Sequence, residues 1–339
     1  MMSDLSRKSL SGLIGLFLVI GLLALPLSGV NASAQDDYEF AIVPKAVNNP
    51  FFNAARLGAL QAGDELGVKV NYTGPSQTKV KDQIDVVESL ITRGVDGIAL
   101  SAVDGDALVR VVNRAVEEGI PVITWDSDVA EDGNRLAFVG TDNYQAGVKA
   151  GISFVHSVES GKYAVITGTL GANNLNQRIA GFKSVLNTLP EGTYTEVKGS
   201  PFPSEDDTQQ ANDYLEDILT SHPDIAGIFM SGGWALFGKS AYEGALGDRI
   251  EDVQSGDLPI ISFDVLPAQL RLMQEGKVSA LVAQRPYDMG YKAIHLLYKK
   301  VVEGEELEKD YYPTDLPVAY PSNVDEFMEH SEEVYQLPD

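Results

Sequence analysis

Pro121-Val122-Ile123-Thr124-Trp125-Asp126 and Pro259-Ile260-Ile261-Ser262-Phe263-Asp264 spell one pattern twice: proline, apolar, isoleucine, hydroxyl, aromatic, aspartate. Upstream of each lies a second matched run, Gly97-Ile98-Ala99-Leu100-Ser101 and Gly227-Ile228-Phe229-Met230-Ser231, in the same order. Two matches in one order read as two halves of a single topology. From Phe40 onward, short β-rich runs alternate with amphipathic helical stretches, which predicts βαβ units around a mostly parallel sheet. The fold class is therefore α/β, with two doubly wound lobes. In open parallel sheets ligands sit beyond the carboxyl ends of the strands, where Asp126 and Asp264 fall.

The alternation can be followed outward from these runs. Phe40 to Val43 reads as the first strand, and Phe52, Ala55, Ala59, Ala62 and Leu66 then recur at three- and four-residue spacing on one helix face that Gly67 ends. Val68 to Tyr72 and Gly97 to Leu100 read as strands, with a helix from about Lys79 to Arg93 between them. Asp104 is placed to cap the next helix, whose core stripe is Leu108, Val111, Val112 and Ala115. Beyond Asp142 the cycle restarts: a helix through Ala150, a strand at Tyr163 to Thr167, and a helix around Ile179 to Leu189. A further helix buries Ala211, Tyr214, Leu215 and Ile218, and strands follow at Ala226 to Met230 and Pro259 to Phe263.

Arg7 and Lys8 precede an apolar run from Leu13 to Leu25, and Ala32-Ser33-Ala34 follows, which is the three-part pattern of a secretory signal peptide cleaved after Ala34. The apolar run is shorter than the ~20 residues a bilayer span requires, and Pro26 and Gly29 close it. The chain has 339 residues and no cysteine, which excludes disulfides, thiolate metal sites and a lipid-modified cysteine. These features predict a soluble periplasmic product. Its formal charge of -24 repels phosphate backbones, so nucleic acid is not the expected partner.

The chemistry-bearing motifs of this fold class are missing. Pro44-Lys45-Ala46-Val47-Asn48-Asn49-Pro50-Phe51-Phe52 stands where a dinucleotide-binding fold needs a G-x-G-x-x-G turn. The histidines His156, His222, His295 and His330 have no metal-ligand spacing, and neither a G-x-S-x-G elbow nor a P-loop occurs. No enzyme activity, cofactor or metal is expected. What remains suits a neutral polyol: carboxylates, amides and a guanidinium for hydroxyls, with flat rings for the C–H faces of a sugar. Candidates at strand ends are Asn49, Phe51 and Phe52, then Ser101, Asp126 and Asp128, and from the second half Asn176, Arg178, Trp234, Asp264 and Gln284. Phe52 also belongs to the core stripe of its helix, which leaves Phe51 the better stacking candidate. Asp128 fits a loop cap equally well, and Arg178 stands with Asn176 at the start of a helix. The glycines before Trp234 give it room at a crevice edge.

Asn49-Pro50-Phe51-Phe52 resembles the periplasmic sugar-binding proteins of the ribose type, the receptors of ABC importers. Further similar landmarks are Val139-Gly140-Thr141-Asp142-Asn143, Arg178-Ile179-Ala180-Gly181-Phe182, Phe263-Asp264, and Gln284 before Tyr287-Asp288-Met289-Gly290. The resemblance implies two Rossmann-like lobes joined by three crossovers, near Asp142, near Gln284 and between Tyr312 and Tyr320. One lobe would comprise residues 35–141 with 285–315 and the other 142–284 with 316–339, after a signal peptide at 1–34. It also implies a monomer that encloses a sugar by hinge closure and docks on a membrane ABC permease. Two positions depart from the family pattern: Ser127 stands where arginine is common and Gly232 where asparagine is common, so ribose is not carried over as the ligand. A related repressor would need an N-terminal helix-turn-helix, where this chain has its signal segment. A receptor that presents a sugar or autoinducer to a membrane signalling protein would share every feature quoted.

Overall fold

The structure, a computed structural model, describes residues 38–335. The segment read as a signal peptide lies outside the described residues. The first α/β set runs β1 (Glu39–Val43), α1 (Phe51–Leu66), β2 (Lys69–Tyr72), α2 (Val80–Arg93), β3 (Gly97–Leu100), α3 (Val109–Glu117), β4 (Val122–Trp125) and β5 (Ala137–Gly140). The second runs α4 (Asn143–Ser157), β6 (Gly161–Thr167), α5 (Asn173–Leu186), β7 (Tyr194–Glu196), β8 (Phe202–Pro203), α6 (Thr208–Ser221) and β9 (Ile225–Met230). It continues with α7 (Lys239–Leu246), α8 (Ile250–Ser255), β10 (Ile260–Phe263), α9 (Pro267–Gln274) and β11 (Ala280–Val282). The chain ends with α10 (Pro286–Val301), β12 (Tyr311–Pro313), β13 (Val318–Ala319) and α11 (Val324–Tyr335).

Two sheets result. Their strand orders are β12-β5-β4-β3-β1-β2 and β13-β11-β10-β9-β6-β7, with β8 beside β6. The second order is the first with each strand replaced by its counterpart, so the matched sequence runs are β3 with β4 and β9 with β10. Every pairing is parallel except β13 against β11. Strands β3, β4 and β10 are buried along their whole length, and β9 at all but Ala226, because helices cover both faces of each sheet. The chain passes between the sheets at residues 140–143, 282–286 and 313–318. After the second passage α10 returns to the first sheet, where Met289, Ala293 and Leu297 pack with Phe40, Ile42, Phe52 and Trp125.

Each lobe holds one helix pair together by reciprocal glycines. A Cβ on Gly58 of α1 would lie 2.1 Å from the Tyr287 carbonyl oxygen, and one on Gly290 of α10 would lie 2.0 Å from that of Ala55. In the other lobe a Cβ on Gly147 of α4 would meet the Arg178 carbonyl at 2.0 Å, and one on Gly181 of α5 that of Tyr144 at 2.0 Å. Only glycine lets these backbones approach so closely.

Two local expectations need correction. Asp104 does not cap α3: its Oδ1 accepts the Asp106 and Ala107 N–H groups at 3.0 and 2.9 Å, closing a separate turn before the helix starts at Val109. Helix α5 begins at Asn173, earlier than the apolar periodicity indicates, because its first turns carry buried polar groups, Asn174 and Arg178, toward the cleft. Arg178 is thus inside the helix rather than at its start.

Candidate functional site

Among the described residues, the non-glycine residues with positive φ are Asp126 (58°), Glu205 (52°), Asp206 (60°) and Asp264 (73°). Left-handed backbone costs a non-glycine residue about 1 kcal/mol or more and persists where surrounding structure enforces it, typically at functional sites. Asp126 and Asp264 occupy equivalent places, one residue past β4 and β10. They reach a single cavity from the two sheets, and Asp206 joins them there.

The cavity holds about 30 Å3 and is lined by Lys45, Asn49, Phe51, Phe52, Asp126 and Asn174 together with Arg178, Asp206, Trp234, Phe237, Asp264 and Gln284. It shares Asn49, Asp206 and Phe237 with an outer cleft of about 450 Å3, formed by residues 76–79 from one lobe and 205–208 from the other. Asn49 is fixed at the start of α1, where its Oδ1 accepts the Phe51 N–H at 3.0 Å. Phe51 and Phe52 pack edge to face at 5.1 Å, and Phe52 meets Trp125 in the same way at 5.6 Å. Phe52 therefore serves the core and the cavity wall together.

On the first wall Ser101 Oγ donates to Asp126 Oδ2 at 2.6 Å, and Asn174 Nδ2 donates to Oδ1 at 3.4 Å. Lys45 Nζ lies 3.9 Å from Asp126 Oδ2 and donates to Asn174 Oδ1 at 3.0 Å, joining the lobes. On the second wall Gln284 bridges two charged groups: its Nε2 donates to Asp264 Oδ1 at 2.7 Å, and its Oε1 accepts from Arg178 Nη2 at 2.6 Å. Thr141 Oγ1 also donates to Gln284 Oε1 at 3.1 Å, tying two passages between the lobes to the site. Arg178 is 2% exposed. It donates from Nε to Asn143 Oδ1 at 2.9 Å and from Nη1 to the Ser231 carbonyl at 3.0 Å. Its guanidinium carbon stands 4.3 Å from the centre of the Phe263 ring. All three side-chain nitrogens are thereby held, presenting a rigid cation.

Burial dominates the electrostatics. It pushes the Asp264 carboxyl up to about 6, while Arg178 and the Gln284 hydrogen bond pull it down and the Asp126 charge pushes it further up. Asp206 is also raised by burial, with Lys45 acting against the rise. Arg178 is lowered by burial, and the carboxylates of Asp264 and Asp126 draw it back up. Such a site holds charges at a cost that polar partners must offset.

The structure brings together Asn49, Phe51, Phe52, Asp126, Arg178, Trp234, Asp264 and Gln284, with Ser101 supporting Asp126. It does not bring in Asp128 or Asn176. Asp128 turns away to Arg135, accepting from Nε at 2.9 Å and Nη2 at 2.6 Å, and it also accepts from Thr124 Oγ1 at 2.5 Å. Asn176 is exposed and donates to the Leu170 carbonyl at 2.8 Å, because two positions from Arg178 is the opposite face of a helix. Asn174, four positions before Arg178, holds the place that was assigned to Asn176. Lys45, Asp206 and Phe237 also went unread; Lys45, two residues past β1, was within reach of the same strand-end rule.

One of the two departures from the family pattern has a steric correlate. The Trp234 indole covers Gly232 so closely that a Cβ there would lie 2.4 Å from the ring, leaving no space for asparagine. Ser127 is fully buried, and its hydroxyl has no hydrogen-bond partner among the described residues.

Comparison with known proteins matches residues 40–306 to the periplasmic binding protein domain. The ribose import binding protein of Salmonella typhimurium LT2 is 27% identical over 288 residues, covering 85% of this chain and 92% of the relative. An ABC transporter solute binding protein from Burkholderia graminis, solved with D-arabinose, superposes with a TM-score of 0.76 at 33% identity, covering 85% of this chain and 96% of that one. Another from Agrobacterium vitis, solved with D-fucose, gives a TM-score of 0.79 at 28% identity, covering 86% and 99%. The chain belongs to the periplasmic binding protein domain family, as its resemblance to the ribose-type members implied.

Proposed function

We propose that the protein captures a monosaccharide or similar polyol between its lobes in the periplasm, after cleavage following Ala34, and delivers it as a monomer to an ABC permease. The observation that carries this reading is the pair of equivalent aspartates, Asp126 and Asp264, held in left-handed backbone and facing one cavity from two sheets. Around them stand hydroxyl-binding groups, Asn49, Arg178 and Gln284, and apolar rings, Phe51, Phe52 and Trp234. Solved relatives hold D-arabinose and D-fucose. The relatives are solute-binding proteins rather than enzymes, in keeping with a site that grips its guest without converting it.

The inner cavity of about 30 Å3 has room for about one or two waters, far less than a ring sugar fills. The lobes must therefore part for loading. We take the moving bodies to be residues 35–141 with 285–315 and residues 142–284 with 316–339. Closing contacts that break on opening include Gly105 N–H to the Gly171 carbonyl at 3.1 Å and Thr169 Oγ1 to the Val103 carbonyl at 3.4 Å. Sugar favours closure by its differential affinity for the closed state, and the closed shape is what the permease would read.

A thermal-shift screen of purified residues 35 to 339 tests the reading, using pentoses, hexoses, deoxysugars, inositols and nucleosides. A true ligand at about 100 times its dissociation constant stabilises by about 2.7 kcal/mol. A neutral monosaccharide is expected to raise the melting temperature. No shift with any polyol would overturn sugar capture.

A further inference from the structure

Gly168-Thr169-Leu170-Gly171, the turn after β6, lies outside the residues that line the sugar cavity. Two carboxylates press on it. A Cβ on Gly168 would lie 1.8 Å from Asp206 Oδ1, and one on Gly171 would lie 1.9 Å from Asp104 Oδ2. Asp206, in the neighbouring loop after β8, takes a backbone hydrogen bond from Thr169. Asp104 comes from the other lobe, in the loop after β3.

Two bonds join the turn to the Asp104 loop: Gly105 N–H donates to the Gly171 carbonyl at 3.1 Å, and Thr169 Oγ1 to the Val103 carbonyl at 3.4 Å. A third runs from Thr78 Oγ1, in the loop after β2, to Asp206 Oδ2 at 3.2 Å. Because Thr169 ties Asp206 to the turn, the three bonds form one chain. Phe237 adds an apolar contact, packing against the cores of both lobes. Each contact is made between protein groups and needs no guest.

Their place in the sheets gives them leverage. The chain passes between the lobes from β5, β11 and β12, toward one end of each strand order, whereas the contacts follow β2, β3, β6 and β8, toward the other. Four strand spacings separate β5 from β2, about 19 Å. A hinge rotation of about 10° moves a group at that distance by about 3 Å, enough to break a hydrogen bond. The Asp104 carboxyl is also held in place, since its Oδ1 accepts the Asp106 and Ala107 N–H groups at 3.0 and 2.9 Å. Glycine at 171 is therefore what lets the two loops meet.

We propose that this chain of contacts is a latch across the mouth of the cleft that closes without a guest, so that most of the empty protein rests with its lobes shut. Loading then waits for the latch to open, because the closed cavity of about 30 Å3 admits no sugar. This rests on the two moving bodies proposed above and adds what sets their resting position; the identity of the guest does not enter.

The chain has no cysteine, so two introduced cysteines carry spin labels without competition. Asp82→Cys and Gln210→Cys are exposed sites in the first turns of α2 and α6, which begin on opposite sides of the outer cleft. Electron paramagnetic resonance of purified residues 35 to 339 without sugar then reads the distance between the lobes. The majority of the wild type is expected at the distance of the closed structure. Gly171→Ala, whose Cβ meets the held Asp104 carboxyl, should move the majority to a longer distance, a change of about tenfold or more in the closed-to-open ratio. Thr78→Val removes the third bond and should shift the ratio the same way by a smaller factor, while Gly244→Ala, with nothing within 4 Å, should leave it unchanged. In stopped-flow mixing with the tightest sugar of the screen, Gly171→Ala should load faster than the wild type. An empty wild type mostly at the longer distance overturns the proposal, as does a Gly171→Ala distribution that matches the wild type. So does loading by Gly171→Ala at the wild-type rate or slower. If no sugar of the screen binds, the sugar-capture reading falls, and the distances in the empty protein still decide this proposal.

Discussion

Replacing Asp264 with asparagine should make the protein more stable and worse at binding. Asp264 is 5% exposed. Its carboxyl is pushed up from 3.8 to about 6, with burial outweighing the pull of Arg178 and of the Gln284 hydrogen bond. A carboxyl whose pKa is higher folded than unfolded contributes stability that is complete below about pH 4 and is lost as pH rises through about 6. A shift of about two pH units corresponds to roughly 3 kcal/mol at neutral pH. Asparagine resembles the protonated carboxyl: its amide oxygen can accept from Gln284 Nε2, and it tolerates the φ of 73°. Asp264→Asn should therefore exceed the wild type by about 1–3 kcal/mol at pH 7.5, several degrees in melting temperature, and match it at pH 4. Sugar affinity should fall about tenfold or more, since a charged acceptor becomes neutral. Urea unfolding followed by tryptophan fluorescence at pH 4, 5, 6 and 7.5 gives the stability difference, and calorimetric titration gives the affinity. A variant less stable than the wild type at pH 7.5, or a difference that does not change with pH, would refute the reasoning.

Other perturbations probe separate parts of the site. Arg178→Lys replaces three spaced nitrogens, each donating to a different one of Asn143, Ser231 and Gln284, by a single ammonium nitrogen, so unfolding should show a loss of about 2–4 kcal/mol and titration a fall in affinity beyond about tenfold. Lys45→Met removes the cation 3.9 Å from Asp126 and the donor to Asn174; calorimetry should record about tenfold weaker sugar binding, and unchanged affinity would remove Lys45 from the site. Gly147→Ala sets a Cβ 2.0 Å from the Arg178 carbonyl and should cost about 1–3 kcal/mol or more while also weakening sugar binding. Gly244→Ala, in α7 with nothing within 4 Å, is the matched control and should be neutral or slightly stabilising by thermal unfolding.

The twofold plan was legible because β4 and β10 copy one another in sequence and both deliver an aspartate into the same backbone geometry. Strand-end reasoning then picked out Asn49, Phe51, Phe52, Trp234, Asp264 and Gln284, which follow the ends of strands, whereas Arg178 reaches the cavity from inside α5. It failed where a local partner or a helical turn decides direction. Asp128 is drawn off by Arg135, seven residues on, and Asn176 shares a helix with Arg178 but not a face. Landmarks quoted only as resemblance proved to have a physical basis: Gly181 and Gly290 are contact points where helices touch through their backbones. Asp206 was illegible because it follows the two-residue strand β8 in an irregular loop, where neither period nor motif marks a side chain.

The most direct measurement is a crystal structure of the protein with the tightest sugar from the screen. The account predicts one sugar enclosed between the lobes, with its hydroxyls bonded to Asp126 from one sheet and Asp264 from the other. A sugar seated on a single lobe, or in the outer cleft without contact to Asp264, would contradict it.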